Sequence, residues 1–155
     1  MKISDFLTES LIIPNVQATR KQEVIRELAE HLAENEPGAP AAGEIERVLT
    51  EREKLGSTAV GEGLAIPHGK LESAPKLVGC FGRSKKGINF ESRDGHPTHF
   101  FVVIIAPPEC GGQHLKALAQ ISRIFRQEGV EKRLLRASTA ADLLRILSEN
   151  DAAAT

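Results

Sequence analysis

His68, held between Pro67 and Gly69, is the residue of this chain best placed for nucleophilic chemistry. Pro67 fixes its own φ and favours an extended conformation at Ile66, so the imidazole is predicted to stand rigidly at a tight bend. Residues 52–70 read REKLGSTAVGEGLAIPHGK, and their glycines let another surface approach the backbone closely. A rigid imidazole in a donor-rich loop suits contact with an anion such as phosphate. The alternative interpretation is a glycine-rich surface loop with an incidental histidine.

Arg52 is the cation closest to this loop in the sequence. It falls on the same helical face as Val48 and Leu49, so it is predicted to lie toward the core, where a guanidinium needs an anionic partner or a route to water. In one interpretation it points over the helix end toward His68 and holds phosphate oxygens. In the other it snorkels to water or pairs with a carboxylate such as Glu62.

Ser57, Thr58 and His114 are the other residues that could assist a phosphoryl group. Ser57 and Thr58 add hydroxyls and backbone donors beside the glycines. His114 falls in the first turn of a helix predicted from about Gln113 to Arg126, at the end where anions are favoured, although capping or packing is the alternative role. Neutral imidazole is nucleophilic near pH 7, and phosphoryl transfer depends mostly on positioning and charge neutralisation. These residues predict phosphoryl capture and release on His68, with no metal or cofactor.

A metal-dependent hydrolase is the competing prediction from another class. His96 and His99 form an HxxH pair, and His114 could be a third ligand, since three protein ligands suffice for catalytic zinc. Pro97 disrupts helical spacing, however, and residues three apart on a strand face opposite sides. Nucleotide binding is less well supported, because the glycine loop lacks the GxxxxGK[ST] pattern.

The elements that position these residues are predicted to form one α/β domain over residues 1–155, with 150–155 as a frayed tail. Apolar runs at Lys76–Phe81 and His99–Ala106 predict strands, and the second is typical of a strand covered on both faces. Helical periodicity recurs before Asn35, from about Glu44 to Leu55, from about Gln113, and in two short segments after Val130. Strands mixed with helices of this length predict a central sheet covered by helices.

Size and composition fit an ordinary globular domain. The 155 residues are 41% hydrophobic and 26% charged, with a formal net charge of −1 that gives no broad nucleic-acid footprint. No apolar run approaches the length of a membrane span, and the N-terminus lacks the regions of a signal peptide, so we expect a cytoplasmic protein with no membrane insertion. A partner must therefore be recognised by a local patch.

The run from Arg52 to Lys70 closely resembles the active-site signature of the IIA domains of the bacterial phosphoenolpyruvate phosphotransferase system, in the fructose, mannitol and nitrogen-regulatory group. Arginine, GST, the spaced glycines and AIPHG stand in the family's order, and QHLKALAQIS at 113–122 resembles its second-histidine segment. Ala59 stands where this group often has glycine. The resemblance implies the mixed sheet flanked by helices of the mannitol and nitrogen-type IIA fold.

The resemblance also implies a function. His68 would accept a phosphoryl group from a phosphohistidine on HPr or its nitrogen-branch counterpart, with Arg52 and His114 as supporting residues. A chain without a fused HPr-like, IIB or membrane segment resembles the nitrogen regulatory protein, in which phosphorylation alters the binding of regulatory target proteins. The first alternative is a fructose or mannitol IIA component that passes phosphate to a IIB domain. The fold is shared with cytoplasmic domains of anion exchangers, which offers a transporter regulatory domain as a further hypothesis.

Docking of the phosphocarrier requires an apolar surface around His68, because two histidines can approach in line only if the surrounding surfaces mate. The sequence offers Leu64, Ala65 and Ile66 as candidates for this surface.

Overall fold

The computed structural model describes residues 1–153, and the side chains of residues 1–151. The described residues form six strands and five α-helices, joined by loops and three short 3-10 turns. The strands are β1 (Ile12–Ile13), β2 (Ala59–Gly61), β3 (Leu64–Ala65), β4 (His68–Lys70), β5 (Val78–Ile88) and β6 (Thr98–Ala106). The helices are α1 (Lys21–Asn35), α2 (Ala42–Lys54), α3 (Gly111–Arg126), α4 (Val130–Arg136) and α5 (Ala140–Ala153).

The strands build one mixed sheet in the order β1-β5-β6-β3-β2, with β4 also paired to β6. β5 and β6 run antiparallel, whereas β3 and β4 each run parallel to β6. β1 is parallel to β5, and β2 closes a short antiparallel hairpin with β3. The prediction of an α/β fold with a mixed sheet flanked by helices is confirmed.

β6 is the central strand because its apolar run leaves no polar face. Every residue of Phe100–Ala106 is buried, as expected for a strand covered on both sides. β3 pairs with its first half, at Phe100 and Phe101, and β4 pairs with its last half, where His68 lies opposite Ile104. β6 therefore places His68 at the same end of the sheet from which the chain continues into α3.

The helices pack in two groups. α1 and α2 pack together, with α1 against β5 and α2 against β4, while α3, α4 and α5 form the second group, with α3 against β6. α2 packs closely on β4 at Gly69. A Cβ atom added to this glycine would lie only 3.0 Å from Cγ2 of Val48. Glycine at position 69 thus allows the middle of α2 to pack against β4, next to His68.

The C-terminal segment is more ordered than predicted. Residues 150–153 belong to α5, and the buried Asp151 carboxylate accepts hydrogen bonds from the backbone amides of Ile3 (2.8 Å) and Ser4 (3.2 Å). The prediction of a frayed tail is therefore wrong for 150–153, and residues 154–155 lie outside the described part of the chain. β5 also continues well past the predicted end at Phe81, through a fully buried Arg83. None of the helices in residues 1–153 combines the length and apolar character needed to cross a membrane.

Candidate functional site

His68 lies at the start of β4, half-buried, with its ring fixed by the backbone two residues earlier. Its Nδ1 lies 2.6 Å from the carbonyl oxygen of Ile66. A carbonyl can only accept, so this bond places the ring proton on Nδ1 and leaves a lone pair on Nε2. Burial lowers the pKa of His68 below its ordinary value. The hydrogen bond to the Ile66 carbonyl raises this pKa, and the charge of Arg52 lowers it further. The neutral form of the ring is therefore favoured, with its lone pair on Nε2.

His114 packs its ring edge-on against His68. The two ring centroids are 5.3 Å apart at an interplanar angle of 88°. His114 is only 5% exposed, and neither of its ring nitrogens has a hydrogen-bond partner among the described residues. Burial, followed by the charges of His68 and Lys70, lowers the pKa of His114 to about 4. A buried polar group without a partner calls for an explanation, and this one lies against the ring of His68.

Arg52 folds its guanidinium onto the end of its own helix. Nη1 donates to the carbonyl oxygen of Gly56 at 2.9 Å, where the chain turns with a φ of +141° that favours glycine. Arg52 is half-buried, and its charge contributes to the lowered pKa of His68. No ion pair joins Arg52 to Glu62 in the described residues, so that alternative is not the observed arrangement. The structure brings Arg52, His68 and His114 together.

The hydroxyls of Ser57 and Thr58 both donate to other groups of the chain. Ser57 Oγ donates to the carbonyl of Phe90 at 2.6 Å, and both the amide and the hydroxyl of Thr58 donate to the carboxylate of Glu53. The two hydroxyls and the Thr58 amide thus donate within the chain in this structure, while phosphoryl binding by Ser57 and Thr58 stays a prediction. Their hydrogen bonds hold the loop itself, and Glu53 is in turn paired with Lys21 at 3.0 Å.

The three histidines of the metal hypothesis are not brought together. His99 directs Nδ1 to the carbonyl of Ser84 at 2.8 Å, His96 is exposed, and His114 packs on His68. Within residues 1–153 no group of three or more His, Cys, Asp and Glu side chains is arranged to hold a metal ion. The described residues therefore offer no metal site for the predicted metal-dependent hydrolase.

A known protein family matches most of this chain. The family model described as "Phosphoenolpyruvate-dependent sugar phosphotransferase system, EIIA 2" matches residues 5–150. The chain belongs to this family. The match spans the sheet, the first four helices and most of α5, and the IIA resemblance carried by the sequence signature is confirmed.

Individual relatives of this IIA domain include regulatory and sugar-specific proteins. The nitrogen regulatory protein of Bradyrhizobium diazoefficiens is 40% identical over 152 residues, which cover 96% of this chain and 95% of that protein. The crystal structure of the nitrogen regulatory protein IIA-Ntr from Neisseria meningitidis superposes with a TM-score of 0.87 at 28% identity, over 94% of this chain and 98% of that one. The fructose-specific EIIABC component of Bacillus subtilis is 35% identical over 97% of this chain, which spans only 24% of that protein.

The docking residues expected from the sequence lie inside this IIA domain. Leu64, Ala65 and Ile66 are 2%, 0% and 4% exposed, so a partner cannot contact their side chains directly. Leu64 and Ala65 pair with β6 in the sheet interior, and Ile66 supplies its carbonyl to His68. The apolar run before the histidine is a core strand, and the assignment of these three residues to the docking surface is wrong.

Glu53 and Arg83 are the structurally important polar residues that the sequence interpretation missed. Glu53 could have been found, because it follows Leu49 by four positions and so falls on the buried side of α2. The sequence gives no such signal for Arg83. This arginine lies close to Lys85 and Lys86, so it is as typical of a solvated turn as of a buried strand. Its burial depends on contacts with α4, about fifty positions later in the chain.

Acidification from pH 7 toward pH 5 is expected to destabilise this IIA domain partly through His114. Its folded pKa of about 4 lies below the unfolded value of 6.5, so the native state binds fewer protons than the unfolded chain between these values. The stability present above pH 6.5 is therefore lost as pH falls, by about 1.4 kcal/mol per pH unit for one such group. Urea unfolding at pH 7, 6 and 5 should show a shallower pH dependence for His114→Leu than for the unmodified chain. Equal slopes in the two proteins would contradict the role of His114.

Proposed function

We propose that this IIA domain accepts a phosphoryl group on Nε2 of His68 from the phosphohistidine of an HPr-type carrier, and that other proteins read its phosphorylation state. The observation that carries the proposal is the pairing of a His68 ring fixed through Nδ1 with a buried His114 ring that lacks any hydrogen-bond partner among the described residues. Membership of the phosphotransferase family supports the same chemistry.

The transfer step exchanges one nitrogen–phosphorus bond for another. The Nε2 lone pair of His68 attacks phosphorus in line, and the bond from phosphorus to the carrier's imidazole breaks, so that the carrier ring leaves with the electron pair. Nδ1 of His68 keeps its proton, and the carbonyl of Ile66 at 2.6 Å stabilises the positive charge that develops on the ring.

The neighbouring side chains can neutralise the transferred group. A neutral His114 carries one ring N–H that can donate to a phosphoryl oxygen, which would satisfy a polar group that is otherwise buried without a partner. Arg52 keeps guanidinium donors beyond the one bound to Gly56, and its fork suits phosphoryl oxygens. These donors are fixed before the reaction, so they stabilise the transition state with little rearrangement.

The proposal is tested by incubating the protein with phosphoenolpyruvate, enzyme I and an HPr-type carrier. An adduct labile in acid and stable in base should form, mass spectrometry should locate it on His68, and nitrogen-15 chemical shifts should place it on Nε2. Modification of His114 or His99 in place of His68, or no modification at saturating carrier, would reject the proposal.

His114→Ala is expected to slow transfer to His68 by about 100-fold without preventing it, because one fixed donor to the transferring group is lost. Rapid-quench measurement of a single turnover at saturating carrier gives this rate. His31→Ala is the control for loss of a histidine ring elsewhere in the chain, since His31 lies on α1, with its Nε2 2.8 Å from the carbonyl oxygen of Ser10. A His114→Ala rate equal to that of the control would remove His114 from the transfer step.

We assign the regulatory branch rather than the sugar branch. The nitrogen regulatory relative is 40% identical over 96% of this chain, whereas the fructose-specific relative is 35% identical over 97% of it. A phosphoryl group adds nearly two negative charges to a docking surface, which is sufficient to alter the choice of protein partner. The 35% identity to the fructose-specific protein supports the sugar-specific alternative. Rapid discharge of phospho-His68 to a fructose-type IIB domain would favour that alternative.

A further inference from the structure

Glu53 is a nearly buried carboxylate next to Arg52 in the last turn of α2. Its side chain is only 5% exposed, and Oε1 accepts the amide of Thr58 at 3.1 Å and pairs with Nζ of Lys21 at 3.0 Å. Oε2 accepts the hydroxyl of Thr58. A buried carboxylate costs free energy unless it is paired and hydrogen-bonded. Both oxygens are engaged here, so the carboxylate is fixed in one orientation.

Thr58 connects this carboxylate to the backbone that holds His68. Its carbonyl oxygen accepts the amide of Ile66 at 3.1 Å. The carbonyl of Ile66 in turn accepts the proton of Nδ1 of His68 at 2.6 Å. On the other side of the bend, the carbonyl of Pro67 accepts an amide of β6 at 3.1 Å. The backbone that orients the ring is therefore held from two sides, and Glu53 holds one of them through Thr58.

The same carboxyl-terminal turn of α2 also positions Arg52. The amide of Gly56 donates to the backbone carbonyl of Glu53 at 3.1 Å, and the carbonyl of Gly56 accepts Nη1 of Arg52 at 2.9 Å. Residues 56–58 are thus tied to Glu53 at both ends, by its backbone at Gly56 and by its side chain at Thr58. One residue anchors the connections that run to Arg52 and to His68.

The charge of Glu53 also acts on the ring of His68. Burial is the largest cause of the lowered pKa of His68, and of the charges that act on this pKa, that of Arg52 lowers it and that of Glu53 raises it. A ring that keeps its proton on Nδ1 while Nε2 bonds to phosphorus carries a positive charge, which a nearby carboxylate stabilises. The arrangement therefore favours the charge that transfer creates on the ring.

We propose that Glu53 is a positioning residue for phosphoryl transfer, which orients the ring of His68 through Thr58 and stabilises the positive charge that develops on that ring. This inference rests on the proposed function of His68. Glu53 is nearly buried, so the carrier does not bind to it. Its loss should therefore lower the rate of transfer at saturating carrier and leave the affinity for the carrier unchanged.

Glu53→Gln tests the rate, because it removes the charge and keeps the size of the side chain. Its amide can still accept the Thr58 N–H and donate to the Thr58 hydroxyl. Single-turnover transfer at saturating carrier is expected to slow by about tenfold, with the half-saturating carrier concentration within about twofold. Glu46→Gln is the matched control, since Glu46 lies on α2 two turns earlier and pairs with Arg26 at 3.3 Å. This control should transfer at the rate of the unmodified protein.

Nitrogen-15 and proton spectra of the unphosphorylated protein test the orientation of the ring without a carrier. Glu53→Gln should lower the pKa of His68 further, because the carboxylate charge that raises it is lost. Thr58→Val keeps that charge but loses the hydroxyl, so it should speed exchange of the Nδ1 proton of His68 by about tenfold with little change in the pKa. Thr58→Ser, which keeps the hydroxyl, should restore slow exchange. Glu46→Gln should change neither quantity.

The outcomes separate this inference from the proposed function. A transfer rate of Glu53→Gln equal to that of Glu46→Gln, or an unchanged pKa of His68 in Glu53→Gln, would overturn the positioning role. If Glu53→Gln does not fold, equal proton exchange in Thr58→Val and Thr58→Ser would overturn it instead. Absence of an adduct on His68 in the unmodified protein rejects the proposed function, whereas an adduct that forms equally fast in Glu53→Gln rejects only the role of Glu53.

Discussion

His68→Asn is expected to acquire no acid-labile phosphoryl group under conditions in which the unmodified protein acquires one per chain, a loss of at least about 1,000-fold in rate. Asparagine can keep an N–H directed to the carbonyl of Ile66, as Nδ1 of His68 does at 2.6 Å, but its amide nitrogen has no nucleophilic lone pair. The substitution therefore preserves the local hydrogen bond and removes the nucleophile. Incubation with phosphoenolpyruvate, enzyme I and carrier, followed by mass spectrometry, measures the result.

His99→Asn is the matched control for this substitution. His99 is also half-buried and directs Nδ1 to a backbone carbonyl, that of Ser84 at 2.8 Å, but it lies at the other end of β6. The His99 variant should be phosphorylated like the unmodified protein. Phosphorylation of His68→Asn, or its loss from His99→Asn alone, would show that the nucleophile lies elsewhere.

Arg83→Ala is expected to destabilise the fold by about 3 kcal/mol, the largest effect on stability that we predict. The guanidinium is fully buried and donates to the carbonyls of Pro14 (2.9 Å), Leu134 (2.8 Å) and Ala137 (2.6 Å). The last two lie at the C-terminal end of α4, where a cation is favoured by the helix dipole. Alanine would leave a cavity and several buried carbonyls without donors, while the removal of a buried charge offsets part of the loss. Burial lowers the pKa of Arg83 from its usual high value.

Urea unfolding and thermal melting measure the effect of Arg83→Ala, and a loss of about 3 kcal/mol corresponds to roughly 6–12 °C in Tm for a chain of this size. Arg83→Met keeps most of the side-chain volume, so it should be less destabilised than the alanine variant. Arg123→Ala, at an exposed position on α3, should lie within about 0.5 kcal/mol of the unmodified protein. An Arg83→Met variant more stable than the parent chain would show that the cost of burying the charge exceeds the value of its hydrogen bonds.

Long apolar patterns made much of this fold predictable. The run ending at Ala106 is apolar at almost every position, so its place in the middle of the sheet follows from the absence of a polar face. His68 and His114 were found because their sequence contexts, a proline-glycine bend and a helix start, are local. The proximity of the two rings depends on β6, which aligns β4 with the start of α3.

Features decided by distant contacts were not predictable from the sequence. In the sequence, the hydroxyls of Ser57 and Thr58 have no obvious acceptor. In the folded chain they donate to the carbonyl of Phe90 and the carboxylate of Glu53. The apolar residues before His68 fit a docking surface as well as they fit a core strand, because burial on both faces removes the alternation that would distinguish them. The end of the chain looks polar and weakly structured, but Asp151 finds its donors more than 140 positions away.

The hydrogen bonds of Asp151 have a consequence for how this domain can be built into larger polypeptides. The carboxylate joins the last turns of α5 to the amides of Ile3 and Ser4, so the polypeptide enters and leaves the domain at neighbouring points. A host chain could therefore accommodate the domain as an insertion without stretching its flanking connectors across the surface. Deleting the final turn of α5 would also remove the hydrogen bonds that hold Ile3 and Ser4. The two boundaries of the domain must therefore be chosen together when fusions are designed.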